Sequence, residues 1–417
     1  MECSSYSRNT CRLCGSSDVR VFLPLAASPI ADAYVPKEKL EQSQPLFPMD
    51  VWICLNCGHV QLLDVVNPDH IYREYLYITH SSPGLVDYYR EYAHQMAAFA
   101  SLAKSDLVID IGSNDGALLS AFQRLGMRVL GIDPARKIAA KATREGIPTI
   151  PEFLTPELAA HIRQTHGPAQ MVTANNIAAN VDDVRSLFES VEILLADKGL
   201  FVLESGYWFD IVNNMLFDTI YHEHLSYFSI LPLQQFVKST PFTMVHALHT
   251  PSKGGCLRYV FAKRQTSRPV SSQLESMAES ESRFGLNTLR TNLAYAERVA
   301  QCRCDVRTHL ARLRDEGKNI AAYGASNTTT TLFYYFGLAE YIPYIVDDNP
   351  IKIGSYSPGL HLPVLSPAVI YERKPDCIFI AAWRFANLII ERHPQYADIG
   401  GQWFIPCLLY TSDAADD

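Results

Sequence analysis

Apolar positions along this chain alternate between two rhythms, and the alternation predicts the architecture. DLVIDIG (106–112) is a short apolar run that ends in a glycine-rich turn, and ALLSAFQRLG (117–126) follows with helical spacing. MRVLGID (127–133) repeats the strand signal, and PARKIAAKATREG (134–146) repeats the helix signal. QMVTANN (170–176) and GLFVLES (199–205) are further strands, with helical patterns before them. Residues 84–103 also carry apolar groups at helical spacing. Strands and helices in turn predict an α/β fold around a parallel, doubly wound sheet. Residues 270–316 lack Gly and Pro except Gly285, and read as one or two long helices separating two halves. After Gly317 the rhythm restarts. NIAAYGAS (319–326) is a strand and turn, NTTTTLFYYFG (327–337) a helix, and YIPYIVDD (341–348) and CIFIAAW (377–383) are strands. A second α/β unit is expected there. Residues 1 to about 70 are loop-rich, with Pro24, Pro29, Pro36, Pro45 and Pro48, and such a segment needs a staple.

Composition narrows the class. At 417 residues the chain exceeds one ordinary core and suits two to three domains. The 48% of apolar residues is a globular share. Lys plus Arg is 36 and Asp plus Glu is 44, giving −8 with no basic block. That balance argues against a nucleic-acid or anionic-membrane partner. Any pull on an anionic substrate must come from a local site. No apolar run is long enough to span a bilayer, and MECSSYSRNT has no apolar signal core, so a cytoplasmic protein is expected. The ending CLLYTSDAADD (407–417) reads like a translated sequencing adapter, which puts the natural end near Pro406; no function is drawn from it.

Four of the ten cysteines form two Cys-x-x-Cys-Gly knuckles, CRLCG (11–15) and CLNCG (54–58). The spacing turns both thiolates of a knuckle toward one ion, and the glycine permits the positive φ of the turn. Cys11, Cys14, Cys54 and Cys57 therefore suit tetrahedral Zn²⁺. Four protein ligands leave no open position, so the zinc is structural. His59 adjoins the second knuckle, but four thiolates suffice and an exposed ring is expected. The 39 residues between the knuckles imply a small domain threaded between them.

VIDIGSNDG (108–116) sets Asp110, Gly112 and Gly116 at a strand-to-helix turn. Its D-x-G-x-x-x-G differs from the dinucleotide fingerprint G-x-G-x-x-G. Asp133 ends the next strand, where a carboxylate accepts from two ribose hydroxyls. These features read as an S-adenosylmethionine site. A dinucleotide site or a plain packing turn would use some of the same residues. Asn175 and Asn176 follow a later strand at the same sheet edge, where they meet the methionine end or serve only the turn. Asn114 and Phe153 complete the expected cofactor set.

FDTIYHEHLSYFS (217–229) is the most unusual stretch. Taken as an extended strand, it points His222 and His224 one way and Tyr221 and Glu223 the other. It is not H-E-x-x-H, and no third metal ligand is evident. A general base with supporting acid and phenol groups fits better, because His titrates near neutrality. Satisfied core histidines are the plainer alternative. YLYITHSSPG (75–84) adds Tyr75, Tyr77 and His80, and KGGCLRYV (253–260) adds Lys253 and Arg258, cations suited to a diphosphate. Ordinary linker and strand structure is the alternative for both.

Taken together, the knuckles, the D-x-G-x-x-x-G turn, FDTIYHEHLSYFS, GGCLR, YGAS (323–326) and DDNPIKIGSYSPG (347–359) resemble the three-domain sugar C-methyltransferases. The resemblance runs from about Cys11 to Pro406. It implies a zinc-binding domain over 1–75, an S-adenosylmethionine-binding domain over 76–248, and a helical plus Rossmann-like domain over 249–406. It implies an enzyme that methylates carbon 3 of a nucleotide-linked 4-keto-6-deoxysugar; a monomer or homodimer is expected. His224 takes the place of the family's base, Tyr221 and Glu223 those of its supporting residues, and Tyr77 or Tyr75 that of a linker tyrosine. His222, Asn180, Lys253 and Arg258 join the expected substrate set. Asn180 and Lys253 each stand where the family has histidine, and Thr328 and Thr329 where it has Lys and Gly. Two rival readings use the same residues: an altered sugar-nucleotide-binding protein, and a nicotinamide-dependent oxidoreductase using YGAS and Asp347.

Overall fold

The computed structural model describes residues 5–73, 78–82 and 84–406. Chain contacts divide it into two units. The first comprises residues 1–20, 52–210 and 223–289, and the second 21–51, 211–222 and 290–417.

The first unit is built on a seven-stranded sheet. Its strands are β1 (Leu107–Ile111), β2 (Arg128–Ile132), β3 (Thr149–Ile150), β4 (Ala169–Asn175), β5 (Leu195–Gly206), β6 (Phe242–Thr250) and β7 (Cys256–Lys263). Their order is β3-β2-β1-β4-β5-β7-β6. All five residues of β1 are buried because helices cover both faces. Leu107, Ile109 and Ile111 face one core with Ile162 and Phe188, while Val108 faces another with Leu118, Phe122 and Tyr92. A strand buried on both faces reads as a continuous apolar run, which is why these strands are plain in the sequence. β7 runs antiparallel to both β5 and β6, against the expectation of an all-parallel sheet. Apolar periodicity carries no strand direction, so this reversal leaves no mark in the pattern.

β7 also carries Arg258, which is 1% exposed. Its Nε donates to Glu204 Oε2 at 2.9 Å, its Nη2 to the Tyr88 hydroxyl at 3.0 Å, and its Nη1 to Gln95 at 3.3 Å. The guanidinium lies 3.7 Å from the Tyr92 ring centroid. The expectation that Arg258 holds substrate phosphate is corrected here. Glu204 on β5 takes its charge inside the sheet, directly across the β5–β7 register.

The second unit has five parallel strands, ordered Val364–Leu365, Ile345–Val346, Ile320–Tyr323, Cys377–Ile380 and Gln402–Phe404. The expected second α/β sheet is therefore present. Helix Asn327–Phe336 contains four consecutive buried threonines, a poor helical sequence by propensity. Their hydroxyls explain them: Thr330 Oγ1 donates to the Ala31 carbonyl at 2.7 Å and Thr331 Oγ1 to the Ile220 carbonyl at 2.6 Å. The expected helical stretch over 270–316 is two helices, Ser272–Phe284 and Leu289–Asp315. Gly285, at φ +70°, ends the first.

Removing one partner of a buried, hydrogen-bonded ion pair leaves an uncompensated charge. Arg258→Met is expected to cost about 3–5 kcal/mol, read as a lower urea midpoint at constant m-value. An unchanged midpoint would contradict this assignment.

Candidate active site and metal centre

The two knuckles converge. Cys11 and Cys57 Sγ atoms lie 3.6 Å apart, Cys14 and Cys54 3.5 Å, and all four fall within 4.8 Å of one another. Zinc with four thiolates at about 2.3 Å sets its sulfurs about 3.8 Å apart, so the donor set fits. Each knuckle closes in the same way: Gly15 N–H donates to Cys11 O and Gly58 N–H to Cys54 O, with both glycines at positive φ. His59 is fully buried, contrary to the exposed ring expected. Its Nε2 meets Ser226 Oγ at 3.2 Å, its ring stacks on Phe228, and burial pushes its pKa down to about 3.

Arg12, inside the first knuckle, ties it to the backbone at Leu62 and Leu225 and to Asp182. Its side chain is wholly buried. Nη1 donates to the Leu62 and Leu225 carbonyls at 2.7 and 2.9 Å, and Nε to Asp182 Oδ1 at 2.9 Å. Arg8 and Tyr6 reach the same carboxylate.

A cleft lies at the carboxyl ends of β1, β2 and β4, with about 660 Å³ of space continuous with solvent. Successive strands leave β1 on one side and continue from β4 on the other, which makes this the switch point of the sheet. Gly112, Asn114, Asp133, Asn175, Asn176, Asn180 and Lys253 line it, as the sequence suggested. Tyr72, Thr79, Leu85, Tyr89, Pro134, Ala135 and Ile177 also line it and were missed. Pro134 and Ala135 follow Asp133 directly and were within reach of the motif. Tyr72, Thr79 and Tyr89 arrive from the linker and a helix, with no local signal.

The turn is shaped by its glycines. Gly112 and Gly116 have φ +71° and +78°, and a Cβ at either would come 2.9 Å from Ile177 or Ile147 respectively. The Asn114 and Ala135 N–H groups donate to the two oxygens of Asp133 at 2.8 and 2.9 Å. A carboxylate has about four acceptor positions, so Asp133 retains capacity for ribose hydroxyls. Asn175 has both amide atoms buried with no partner among the described residues. Buried amides need partners, and a polar ligand in the cleft would supply them. Asp110 sits beneath the turn, accepting from Thr173 Oγ1 at 2.5 Å, and burial pushes its pKa up to about 7. The linker is fastened here too. Thr79 N–H and Oγ1 donate to Asn114 Oδ1 at 2.9 and 3.2 Å, and His80 Nδ1 meets Asp115 Oδ2 at 2.7 Å.

Other expected residues lie elsewhere. Phe153 is not among the cleft-lining residues. Its ring lies under the Arg73 guanidinium at 4.7 Å, which Asp69 and Glu152 pair. Tyr75 and Tyr77 lie outside the described residues, as does 407–417. The Tyr221–His224 stretch is a turn between the 3-10 segment Phe217–Thr219 and the short strand Ser226–Tyr227, not the extended strand expected. The alternation of faces inferred from a strand therefore does not hold. Tyr221 and His222 belong to the second unit, Glu223 and His224 to the first. His222 is buried with Nε2 donating to the Phe47 carbonyl at 3.1 Å, a structural tie in place of the substrate role expected. Glu223 is buried, and its carbonyl accepts from the hydroxyl of cleft residue Tyr72 at 3.3 Å.

Three family models match in order: a zinc binding domain over residues 11–72, a methyltransferase domain over 86–247, and a C-methyltransferase C-terminal domain over 251–407. The C-methyltransferase NovU of Streptomyces niveus is 30% identical over 397 residues, spanning 95% of this chain and 94% of that one. The chain belongs to this C-methyltransferase family. It is a class I S-adenosylmethionine-dependent methyltransferase with a zinc-binding domain at its N-terminal end. Solved structures align with part of it. A magnesium protoporphyrin IX methyltransferase from Synechocystis with bound SAH is 12% identical (TM-score 0.34, 43% of this chain and 83% of that one). A S-adenosylmethionine-dependent methyltransferase from Clostridium acetobutylicum is 10% identical (TM-score 0.35, 43% and 92%). Among the described residues, no helix of this C-methyltransferase is long and apolar enough to cross a membrane.

Two outcomes follow for this C-methyltransferase. Elemental analysis is expected to find one zinc per chain, and Cys54→Ser to lose the metal and lower the melting temperature, since binding free energy at such sites is folding free energy. Asp133→Asn is expected to weaken S-adenosylmethionine binding by about tenfold or more in calorimetric titration, the loss from one charge-assisted hydrogen bond. Affinity equal to the unaltered protein would remove Asp133 from the cofactor site.

Proposed function

We propose that this C-methyltransferase methylates carbon 3 of a nucleotide-linked 4-keto-6-deoxysugar in the cytoplasm. The observation that carries the reading is the tie between the cofactor cleft and the His-Glu-His turn. Tyr72 lines the cleft and bonds the main chain of Glu223, and His224 is the next residue. The resemblance of the whole chain to sugar C-methyltransferases supports the same substrate class.

S-adenosylmethionine, when bound, supplies a methyl group on a sulfonium already activated for transfer. Asp133 would hold its ribose, with Gly112 and Asn114 shaping the turn beside it and Asn175 and Asn176 facing its amino-acid end. The protein's own task is to make a carbon nucleophile. The carbon 4 ketone acidifies the proton on carbon 3, and His224 removes it as general base, leaving an enolate. Glu223, Tyr221 and the linker tyrosine (Tyr75 or Tyr77) are the supporting acid and phenol groups. A phenol donor to the enolate oxygen lowers the barrier by stabilising charge as it develops. Asn180 and Lys253 contribute to the substrate side of the cleft. The zinc, filled by four thiolates, contributes to the fold and not to the chemistry.

No observation favours the oxidoreductase reading. Asp347 accepts from Ala325 N–H at 2.5 Å and Asn349 N–H at 2.7 Å, and Ser326 and Thr329 cap the adjacent helix reciprocally.

The test is mass spectrometry of a panel of nucleotide 4-keto-6-deoxysugars incubated with enzyme and S-adenosylmethionine in light and heavy water. A gain of one methyl is expected on at least one member. His224→Asn is expected to lower turnover by about 10²–10⁴ and to abolish deuterium uptake at carbon 3, with cofactor affinity kept. Methylation of no ketosugar by the folded, cofactor-binding protein would reject the substrate class. Unchanged turnover in His224→Asn would reject the base.

A further inference from the structure

The hairpin turn between β6 and β7 carries the cleft's lysine in an unusual conformation. Lys253, Gly254 and Gly255 have φ of +53°, +90° and +130° in succession. The turn closes with Gly255 N–H donating to Ser252 O at 3.0 Å. Two glycines adopt such angles freely, but a lysine does so only under strain, and persists there only when its surroundings demand it. Lys253 is exposed and lines the cleft with Asn175, Asn176 and Asn180.

The contacts that hold Gly255, two residues further along the turn, can be named. The Asp210 carboxylate occupies the place where a Cβ on Gly255 would stand. Asp210 is 8% exposed, and its Oδ2 meets His249 Nε2 at 2.7 Å. His249 lies on β6, one residue before that strand ends. The Gly255 carbonyl accepts from Tyr207 N–H at 3.3 Å, and the Tyr207 ring meets His249 edge-on at 6.2 Å. The turn is thus clamped from β6 and from the segment after β5. Neither Asp210 nor His249 lines the cleft.

We propose that Asp210 and His249 are positioning residues for Lys253, holding the 252–255 turn so that the ammonium group meets the diphosphate of the substrate. The inference rests on the sugar-nucleotide reading above and adds to it the device that sets the phosphate-binding cation. A compact ammonium suits a diphosphate as a point charge, and its contribution depends on being held at the right distance. No bond is made or broken by the pair.

The test is a double-mutant cycle read by calorimetric titration of uridine and thymidine diphosphate into the full-length, zinc-loaded protein. Asp210→Asn keeps the volume beneath Gly255 but removes the charge that holds His249. Lys253→Gln removes the cation. Each is expected to weaken nucleoside diphosphate binding by about tenfold, and the double variant to be no weaker than Lys253→Gln alone. In turnover, KM for the sugar nucleotide is expected to rise by more than kcat falls. His249→Gln, at a half-exposed position, gives the same reading if Asp210→Asn fails to fold. Unchanged affinity in Asp210→Asn or His249→Gln, or losses that multiply in the double variant, would overturn the inference while leaving the sugar-nucleotide reading intact. Failure of the unaltered protein to bind either nucleotide and to methylate any ketosugar would overturn both.

Discussion

Arg12 cannot be solvated where it lies, and much of the first unit is arranged around that fact. It sits between two cysteines of one knuckle, so its position depends on the metal-binding turn. Its donors reach the strand after the second knuckle, the residue after His224, and Asp182, two residues past the cleft's Asn180. A guanidinium stripped of water is tolerable only when such acceptors are fixed around it. The four-thiolate site therefore does more than staple a loop-rich segment. Through one side chain it ties the strand after the second knuckle to Leu225 and Asp182.

The polar part of the cleft is mostly amide. Asn114, Asn175, Asn176 and Asn180 line it beside one carboxylate, Asp133, and one cation, Lys253. Amides both donate and accept and do not titrate, so such a wall can receive a polar ligand over a wide range of pH. The acid beneath the turn, Asp110, is kept out of the cleft, and burial leaves it poised near neutrality. Charge at the cleft is thus concentrated at two side chains.

Much of this was legible in the chain. Doubly covered strands read as apolar runs, and four thiolates in two knuckles leave little ambiguity about the ion they suit. The convergence at the cleft was legible because a glycine after a strand, an acid at the next strand end and asparagines after a third must share one sheet edge. What escaped was long-range pairing. Arg258 looks like a phosphate ligand until Glu204, 54 residues away, is seen to hold it. His59 looks surplus until Ser226 and Phe228 cover it. The Tyr-His-Glu-His stretch has the composition of a strand, but it follows a 3-10 turn and folds back before pairing. Spacing along a chain cannot register partners supplied by another segment.

The interleaving of the two units has a consequence for how the polypeptide is made. The first unit draws on three stretches of chain that end at Leu289, and the second begins at Val21 and closes beyond Arg290. Neither is a contiguous module. A ribosome must deliver nearly three hundred residues before the first unit has all its parts, and by then two segments of the second have already emerged without their sheet. The order of synthesis thus leaves apolar segments waiting for partners, the circumstance in which nascent chains recruit chaperones. It also means that no single cut yields two transplantable halves, so recombination within this family would exchange whole chains or short segments more readily than either unit.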